Sequence, residues 1–462
     1  MSVIKFINEN KKEYIRISNK IWQYAELSQK EVKSARLQMD VLSTKGFKIK
    51  KSRDCQNAFI AEYGNGKPVI GLLGEYDALP GLGQEKKPFK KPIKGKESGH
   101  GCGHNLLGTG AMFAAVAVKE AIKEGRFSGT IRYYGCPAEE TITGKIIMVK
   151  EGLFNDVDIC LTWHPDCYNS INLGGTQAMN SFKLIFKGIA SHAAGDPFNG
   201  RSALDAVELT DIGSNYLREH IIKDASLHYV ITKGGIMPNI VPDLAEVWYF
   251  VRAPGREAVE EIYERVLNIA RGAALMTDTS LEIKLITGCY NFLNNDVLNK
   301  MLWDIMEKIE LEKFTQKDKD FAREMASNFN RGQREEALYI SHLDDGSYKY
   351  LENRYLCDTM IPPYGAGINY PGSTDLGDVS WIVPAAKFIT ACFPLGVSPH
   401  SWQVTASSGM HIGHAGMILA AKILALSCIR LFRNRNIINA AKDEFKQKTK
   451  KKKYKSPIGS LY

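Results

Sequence analysis

The sequence predicts an α/β protein whose mostly parallel sheet is interrupted by an inserted α+β domain. In the first half, short apolar runs typical of buried strands alternate with helical stretches, as in "PVIGLLGEYDALPG" and "HNLLGTGAMFAAVAVKEAIKEG". From about Met179 the order becomes strand-helix-strand-strand-helix-strand, which is the ferredoxin-like order. We therefore expect one domain to be inserted into the other.

The predicted boundaries follow these changes of pattern. The main domain takes residues 1–178 and 291–440, the inserted domain takes 179–290, and a basic tail takes 441–462. Within the insert, Ser202 and Asp205 form a capping box at the start of a helix, and a second helix is expected over about 256–274. A helix that begins at the N-cap Asn105 is expected in the main domain.

Length and composition fit a soluble protein of more than one domain. The chain has 462 residues, of which 44% are hydrophobic and 24% charged. The N-terminus is too polar for a signal peptide, and no uninterrupted apolar run is long enough for a spanning helix. Nine cysteines without framework spacing indicate free thiols. We expect a cytoplasmic location and no membrane association.

The net charge of +9 is concentrated in two lysine runs. The segment 446–455 ("KQKTKKKKYK") holds seven lysines and no acid, and 86–96 ("KKPFKKPIKGK") holds six. A solvated, frayed tail and a surface loop explain these runs, although the second run could attract an anionic substrate. The tail could also touch nucleic acid or membrane, but because the rest of the chain is nearly neutral, a nucleic-acid partner is not favoured.

Loops at the predicted carboxyl ends of the strands carry acids, histidines and a thiol. In parallel sheets, ligands bind beyond these strand ends, so we expect the functional site there. In chain order these loops hold Glu75 and Asp77, Cys102 and His104, Glu139 and Glu140, and His164.

These residue types suit metal chemistry. Cys102-x-His104 can present two ligands to one ion, and in the Glu139-Glu140 pair one carboxylate can bind a metal while the other moves a proton. Each motif also has a simple alternative, namely a flexible glycine turn or a solvated acidic pair. A thiol nucleophile, Cys102 with His104, is a further hypothesis, but the two-residue spacing suits it poorly and leaves both glutamates without a role.

The whole set of motifs resembles a known family. "GEYDALPG", "GHGCGHN", "GCPAEE", "TWHP", "GIASHAAGDP", "NIVPD" and "GSTDLGDVSW" stand in the order found in the metal-dependent amidohydrolases and peptidases related to aminoacylase and carboxypeptidase G. The likeness is greatest to the amidohydrolase branch, and it covers about residues 10–435.

The resemblance implies a centre of two divalent cations, manganese or zinc, at the carboxyl edge of the sheet. The implied ligands are Cys102, His104, Glu140, His164 and, from "PHSWQ", His400. His411 and His414 in "MHIGH" are competitors for the place of His400. The wider family has His-x-Asp where this chain has Glu75-Tyr76-Asp77, and a bridging aspartate where it has Cys102.

The resemblance also assigns roles outside the ligand set. Glu139 is the expected general base. Asp77 is expected to be a catalytic residue that acts by orienting metal ligands, together with Asp375. His192 is expected to reach the active site of a partner subunit and to stabilise the oxyanion.

The expected substrate and partners follow from the same resemblance. Asn239 and Arg252 are expected to bind the substrate's terminal carboxylate. The implied reaction is hydrolysis of an amide bond in an N-acyl amino acid or dipeptide, for example the folate fragment p-aminobenzoyl-glutamate. The inserted domain would be both lid and dimer interface, in a homodimer or in a heterodimer with a related subunit. A dipeptidase and a non-catalytic partner subunit are the alternatives.

Overall fold

A computed structural model describes residues 2–330 and 332–459. The strands in this part of the chain are β1 Lys48–Lys51, β2 Phe59–Asn65, β3 Val69–Glu75, β4 Leu79–Pro80, β5 Ser98–Gly99, β6 Gly129–Cys136, β7 Ile159–Asp166, β8 Ala178–Lys187, β9 Ser226–Lys233, β10 Leu244–Ala253, β11 Ser280–Cys289 and β12 Ala385–Ala391.

Helices alternate with these strands. They are α1 Val3–Tyr24, α2 Val32–Thr44, α3 His104–Lys123, α4 Gly144–Lys150, α5 Ala203–Leu217, α6 Arg256–Thr277, α7 Asp296–Met306, α8 Gln316–Ala326, α9 Gln333–Ile340, α10 Asp345–Leu351, α11 Leu376–Ser380, α12 Trp402–Ser408, α13 His411–Arg433 and α14 Arg435–Thr449.

The chain divides into two compact units. The first unit comprises the described residues of 2–174, 293–368 and 379–454, and the second comprises 175–292, 369–378 and 455–459. The sequence predicts an insert over 179–290 and leaves 369–378 in the main domain. In the structure, Gly175 forms a bridge with Asn369, and Asp378 accepts a hydrogen bond from the Tyr290 backbone, so this segment belongs to the second unit.

The first unit is built on a sheet with strand order β1-β2-β6-β3-β7-β12. β6, β3, β7 and β12 run parallel to one another, whereas β1 and β2 pair antiparallel at one edge. β3 is buried at every position, as expected for a run of Val, Ile and Leu covered on both faces. The predicted α/β fold with a mostly parallel sheet is confirmed.

Helix α3 packs against β3 at very short distance. A Cβ added at Gly108 would lie 2.4 Å from the Glu75 carbonyl oxygen, so only glycine allows this approach.

The prediction that Asn105 caps the helix is wrong. Gly103, with φ +80°, precedes the first helical residue, while the buried Asn105 amide donates to Ser18 Oγ and to the Ser408 carbonyl.

By length and composition alone, α3 and α13 are apolar enough to cross a membrane. In the structure, 89% of the apolar window in α3 and 83% of that in α13 are buried inside the protein. Both helices have the burial that is typical of core helices.

The basic C-terminal segment begins inside a packed helix. The sequence predicts a tail over 441–462, but α14 continues to Thr449. The Asn295 amide donates to the Ala441 carbonyl, and Glu444 accepts hydrogen bonds from the backbone of Asp296 and Val297. These contacts fix the first part of the segment, so the expectation of a frayed run over 446–455 is wrong for residues 446–449, which belong to α14.

The second unit has an antiparallel sheet with strand order β11-β8-β10-β9. Helices α5 and α6 share its apolar core, in which Phe182, Tyr249 and Val266 are buried. Ser202 caps α5 by accepting from the Asp205 backbone, as its capping-box spacing predicts. In the described sheet, β9 pairs on one side only and forms an edge.

Candidate metal centre

The first unit brings the predicted donors together at the carboxyl edge of its sheet. Donor atoms that lie within 4.8 Å of one another form three groups: Cys102 with His104 and His164, Cys102 with Glu140 and His400, and Glu75 with His104 and Glu139. Cys102 therefore stands between two possible cation positions.

His164 directs one ring nitrogen at this thiol. Its Nε2 lies 3.4 Å from Cys102 Sγ, while its Nδ1 donates to the Pro165 carbonyl at 2.7 Å. Burial, with the charge of His104, lowers the pKa of His164 to about 4. His164 is therefore neutral at physiological pH, with Nε2 unprotonated, which is the form that binds a metal.

His104 is oriented by Asp77. Its Nδ1 donates to Asp77 Oδ1 at 2.8 Å, which leaves Nε2 for a ligand. Although burial lowers it, the charge of Asp77 and its hydrogen bond hold the pKa of His104 well above its ordinary value. The anionic surroundings that favour the imidazolium would equally favour a divalent cation.

Asp77 also supports the glutamate loop. Its Oδ2 accepts from the Glu140 backbone at 2.9 Å and from Ser28 Oγ at 2.8 Å. Burial raises the pKa of Asp77, but His104 and these hydrogen bonds outweigh burial and hold it below its ordinary value. One ionised carboxylate thus fixes both a histidine and the backbone of a glutamate.

His400 completes the second donor group. Its Nε2 lies 3.2 Å from Glu140 Oε2, and its backbone N–H donates to the Gly101 carbonyl at 2.9 Å. The residue has φ +56°, a backbone conformation that is costly for any residue other than glycine. The competing histidines lie elsewhere, because His411 pairs with Asp318 at 2.8 Å and His414 is buried in α13.

Glu139 and Glu75 lie beside His104. Glu139 Oε2 is 3.9 Å from His104 Nε2, and Glu75 Oε2 is 3.3 Å from the same nitrogen. The other oxygen of Glu75 lies 2.7 Å from Nζ of the buried Lys145. Burial raises the pKa of Glu75, but the charges of Lys145 and His104 bring it below its ordinary value.

Glu31 is a support that the sequence did not reveal. This buried carboxylate accepts from the Ala138 backbone at 2.8 Å, directly before the glutamate pair. Ala138 has φ +57°, so the loop is held in a conformation that alanine seldom adopts. Glu31 in "LSQKEVKSA" and Lys145 in "TGKIIMV" carry no motif, and only the fold brings them to the site.

The donor set fits divalent cations. His104 Nε2 and Glu140 Oε1 are buried without a hydrogen-bond partner among the described residues. Two ligands of one zinc-like ion are separated by about 3.0–3.6 Å, given the usual bond lengths. The separations of 3.4 Å between Cys102 and His164 and 3.2 Å between His400 and Glu140 fall in that range. Burial and the charge of Glu140 raise the pKa of Cys102, whereas a cysteine nucleophile needs a lowered pKa.

Comparison with known proteins identifies the family of the chain. A model of peptidase family M20/M25/M40 matches residues 71–349. The chain belongs to this family. It is a hydrolase of amide bonds, and M20 membership together with the donor set supports a centre of divalent metal ions.

The M20 relatives include one of nearly the same length. It is a subunit of the p-aminobenzoyl-glutamate hydrolase of Escherichia coli (strain K12), and it is 40% identical over 460 residues, which is 98% of this chain and 96% of the relative. The Xaa-Arg dipeptidase of Homo sapiens is 28% identical over 84% of this chain and 75% of its own length.

A solved M20 structure shares the fold. The Bacillus subtilis YXEP protein, a dinuclear metal binding peptidase from the M20 family, has a TM-score of 0.55 and 17% identity. The match covers 90% of this chain and 99% of that protein.

The remaining predicted site residues belong to the second unit. His192 and Asn239 are both exposed on its surface, and the Asn239 carbonyl accepts a hydrogen bond from the Ala193 backbone. Arg252 is half-buried and donates to the Pro371 carbonyl, while its Nε is buried without a partner in the described chain. Their approach to the donor groups stays a prediction, as does the ligand-orienting role of the buried Asp375.

Proposed function

We propose that this chain is a two-cation amidohydrolase that releases an amino acid from an N-acyl amino acid or dipeptide. The observation that carries the proposal is the thiol of Cys102, shared by two groups of donors. p-Aminobenzoyl-glutamate is the first candidate substrate, because the relative that is 40% identical over nearly the whole chain is named for its hydrolysis.

Manganese or zinc is the proposed metal. Cys102, His104 and His164 would hold one cation, and Cys102, Glu140 and His400 the other. Bound there, divalent cations supply Lewis acidity toward a carbonyl and lower the pKa of water. The thiolate and imidazole donors suit zinc, while the carboxylates also admit manganese.

Glu139 is the proposed general base. Its Oε2 lies 3.9 Å from His104 Nε2, and its side chain is 13% exposed, so water can reach it. It accepts a proton from the attacking water and passes it to the leaving nitrogen. Glu140 is engaged with His400 and is left as a ligand.

His192 is the proposed oxyanion donor. Its Nδ1 accepts hydrogen bonds from the Ala194 and Gly195 backbone, so the neutral ring carries its proton on Nε2. That tautomer can donate to a developing oxyanion. Arg252, with Asn239, is the proposed site for the substrate's terminal carboxylate, because a guanidinium binds carboxylate through paired hydrogen bonds.

A dimer is part of the proposal. The edge strand β9 exposes Val230 and Ile231, and Ile236 in the following loop is 95% exposed. Unpaired, apolar edge strands favour association with another chain. The partner is a second copy or a related chain, in line with the Escherichia coli relative, which is itself named as one subunit of a hydrolase.

A cytoplasmic location, supported by nine free cysteines, is also proposed.

A dipeptidase is the second candidate, favoured by the likeness to the human Xaa-Arg dipeptidase. The two differ in the acyl side of the substrate, which is an aromatic acid in one case and an amino acid in the other. A non-catalytic subunit is disfavoured because donor atoms of the proposed ligands lie within 4.8 Å of one another in two groups that share Cys102.

One hydrolysis screen tests the proposal. The purified chain is stripped with chelator, reloaded with manganese or zinc, and assayed against p-aminobenzoyl-glutamate, other N-acyl amino acids and dipeptides. Metal-dependent release of an amino acid is expected. Activity that survives chelation but is lost to a thiol reagent would instead support the cysteine mechanism, and inactivity on every substrate would favour the non-catalytic subunit.

A further inference from the structure

Three side chains of the segment before Cys102 bind the C-terminal end of helix α1. The last carbonyl groups of a helix lack partners within it, and the last turn of α1 has no basic residue of its own. The donors come from alternate residues, which point to one face of an extended segment. They are Lys96 Nζ, which donates to the Trp22 carbonyl at 3.1 Å, Ser98 Oγ, which donates to the Ala25 carbonyl, and His100 Nε2, which donates to the Ile21 carbonyl at 3.0 Å.

The ring of Trp22 strengthens this attachment. Lys96 Nζ lies 4.6 Å and Lys86 Nζ 4.7 Å from the ring centroid, within the range of a cation–π interaction. The indole N–H donates to the Thr405 carbonyl at 2.8 Å. Part of the basic run 86–96 is therefore packed on α1 and does not simply extend into solvent.

His100 connects the end of α1 with two proposed metal ligands. It lies two residues before Cys102, and the carbonyl of the intervening Gly101 accepts the backbone N–H of His400 at 2.9 Å. The carbonyl of His100 accepts a hydrogen bond from Ser408 Oγ at 3.3 Å. A displacement of His100 would therefore move both the thiol and His400 relative to the other donors.

The second ring nitrogen of His100 indicates that this residue does more than fill space. The side chain is fully buried, and because Nε2 donates to α1, Nδ1 is left as an acceptor. Nδ1 has no hydrogen-bond partner among the described residues. A buried polar atom without a partner is destabilising, so an apolar side chain of similar size would fill this space at lower cost. What the histidine adds is the hydrogen bond from Nε2.

We propose that His100 is a positioning residue of the cation centre, which together with Lys96 and Ser98 holds the thiol of Cys102 where the two donor groups meet. This inference rests on the proposed two-cation centre. Cys102 belongs to both donor groups, so loss of the hydrogen bond to α1 should weaken the binding of both cations.

Metal titration of two variants at position 100 tests the proposal. His100→Leu fills a similar volume without the hydrogen bond to α1, whereas His100→Gln places an amide N–H near the position of Nε2. Each variant is stripped with chelator and titrated with manganese or zinc. Cation affinity is expected to fall by about 10- to 100-fold in His100→Leu, as for other groups that orient a metal ligand, and to recover for the most part in His100→Gln.

Cobalt substitution reports on the thiol itself. A cobalt ion bound by a thiolate has a charge-transfer absorption in the near ultraviolet, and Cys102 supplies the one thiolate of the proposed ligand set. This absorption should be weakened and shifted in His100→Leu and restored in His100→Gln. A residue with a purely structural role would leave it unchanged.

Two further variants separate positioning from folding, with urea unfolding to establish that each chain is folded. Tyr134→Phe removes another buried hydrogen bond of the first unit, from the Tyr134 hydroxyl to the Leu153 carbonyl, outside the donor groups, and should keep cation affinity and the cobalt spectrum. Lys96→Met/Ser98→Ala removes the two half-buried donors and leaves His100 in place. It is expected to fold and to bind both cations more weakly than the unaltered chain.

The outcomes are distinct. Unchanged cation affinity and an unchanged cobalt spectrum in folded His100→Leu would overturn the positioning role, as would an equal loss of affinity in Tyr134→Phe. If His100→Leu does not fold, unchanged affinity in Lys96→Met/Ser98→Ala would overturn it. Failure of the unaltered chain to bind any divalent cation would instead overturn the proposed function.

Discussion

His104 donates a hydrogen bond from Nδ1 to Oδ1 of Asp77 at 2.8 Å, and both side chains are fully buried. The bond fixes which ring nitrogen is available to a metal. We expect Asp77→Asn to reduce metal affinity or activity by about 10- to 100-fold, because the amide cannot hold the same histidine tautomer equally well. Metal titration checks this, with Ser28→Ala as a milder control because it removes only one donor to Asp77.

Glu139→Gln separates proton transfer from metal binding. The amide cannot accept a proton, so the rate of amide hydrolysis should fall by about 10²- to 10⁴-fold. Metal content should remain that of the unaltered chain. Glu140→Gln is the matched variant, and it should lose metal as well as activity. Full activity in Glu139→Gln would contradict the assignment of the general base.

Glu31 is expected to act through the backbone of the glutamate loop. Glu31→Ala removes the acceptor of the Ala138 N–H, so the strained loop should relax and the turnover number should fall by about 10-fold or more. Glu31→Gln keeps an oxygen acceptor and should recover most of the rate. Steady-state kinetics on the metal-loaded chain checks both variants. Equal rates in the alanine variant and the unaltered chain would show that the loop keeps its conformation without the hydrogen bond to Glu31.

His414 gives the fold a dependence on pH. Burial and the charges of Lys86 and His411 lower its pKa to about 3. In the unfolded chain, with a histidine pKa near 6.5, this residue binds a proton that it does not bind in the folded chain. The contribution of neutral His414 to the free energy of unfolding is therefore fully present above pH 6.5 and is lost as the pH falls toward 3. The single group costs about 2 kcal/mol at pH 5.

Urea unfolding at pH 7 and pH 5 measures this effect. The unaltered chain should lose about 2 kcal/mol more than His414→Gln between the two pH values, since the variant has no proton to take up. Equal losses would mean that other groups account for the acid sensitivity.

The exposed edge of the second unit predicts the oligomeric state. Val230→Lys/Ile231→Lys places two charges on β9 and should convert a dimer into a monomer, measured by light scattering. If His192 acts across subunits, amide hydrolysis should fall with the loss of the dimer. Val32→Lys, at a similarly exposed apolar position in the first unit, is the control. An unaltered chain that is monomeric and fully active would contradict the proposed interface.

The sequence predicts the parts of this site that lie at strand ends. Glu75, Glu139 and His164 lie at or just after the carboxyl ends of parallel strands, and Cys102 and His104 come directly before or at the start of α3, so the order of strands and helices predicts their proximity. Glu31 and Lys145 come from helical segments with ordinary composition, and their place depends on how α2 and α4 pack. The left-handed backbone of His400 is equally invisible in the sequence, because it depends on a hydrogen bond with a loop about 300 residues earlier.

Gly108 sets a limit on how this enzyme can be re-engineered. Any side chain there would push α3 away from the Glu75 carbonyl, and with it His104 at the start of the same helix. Directed evolution of new substrate preferences should therefore enrich changes in the second unit, around Asn239 and Arg252, and reject almost all substitutions at Gly108. Helix α3, in the core of the first unit, also carries a ligand of the proposed metal centre. The positions that tolerate the fewest substitutions are therefore expected in this helix, which does not contact the substrate.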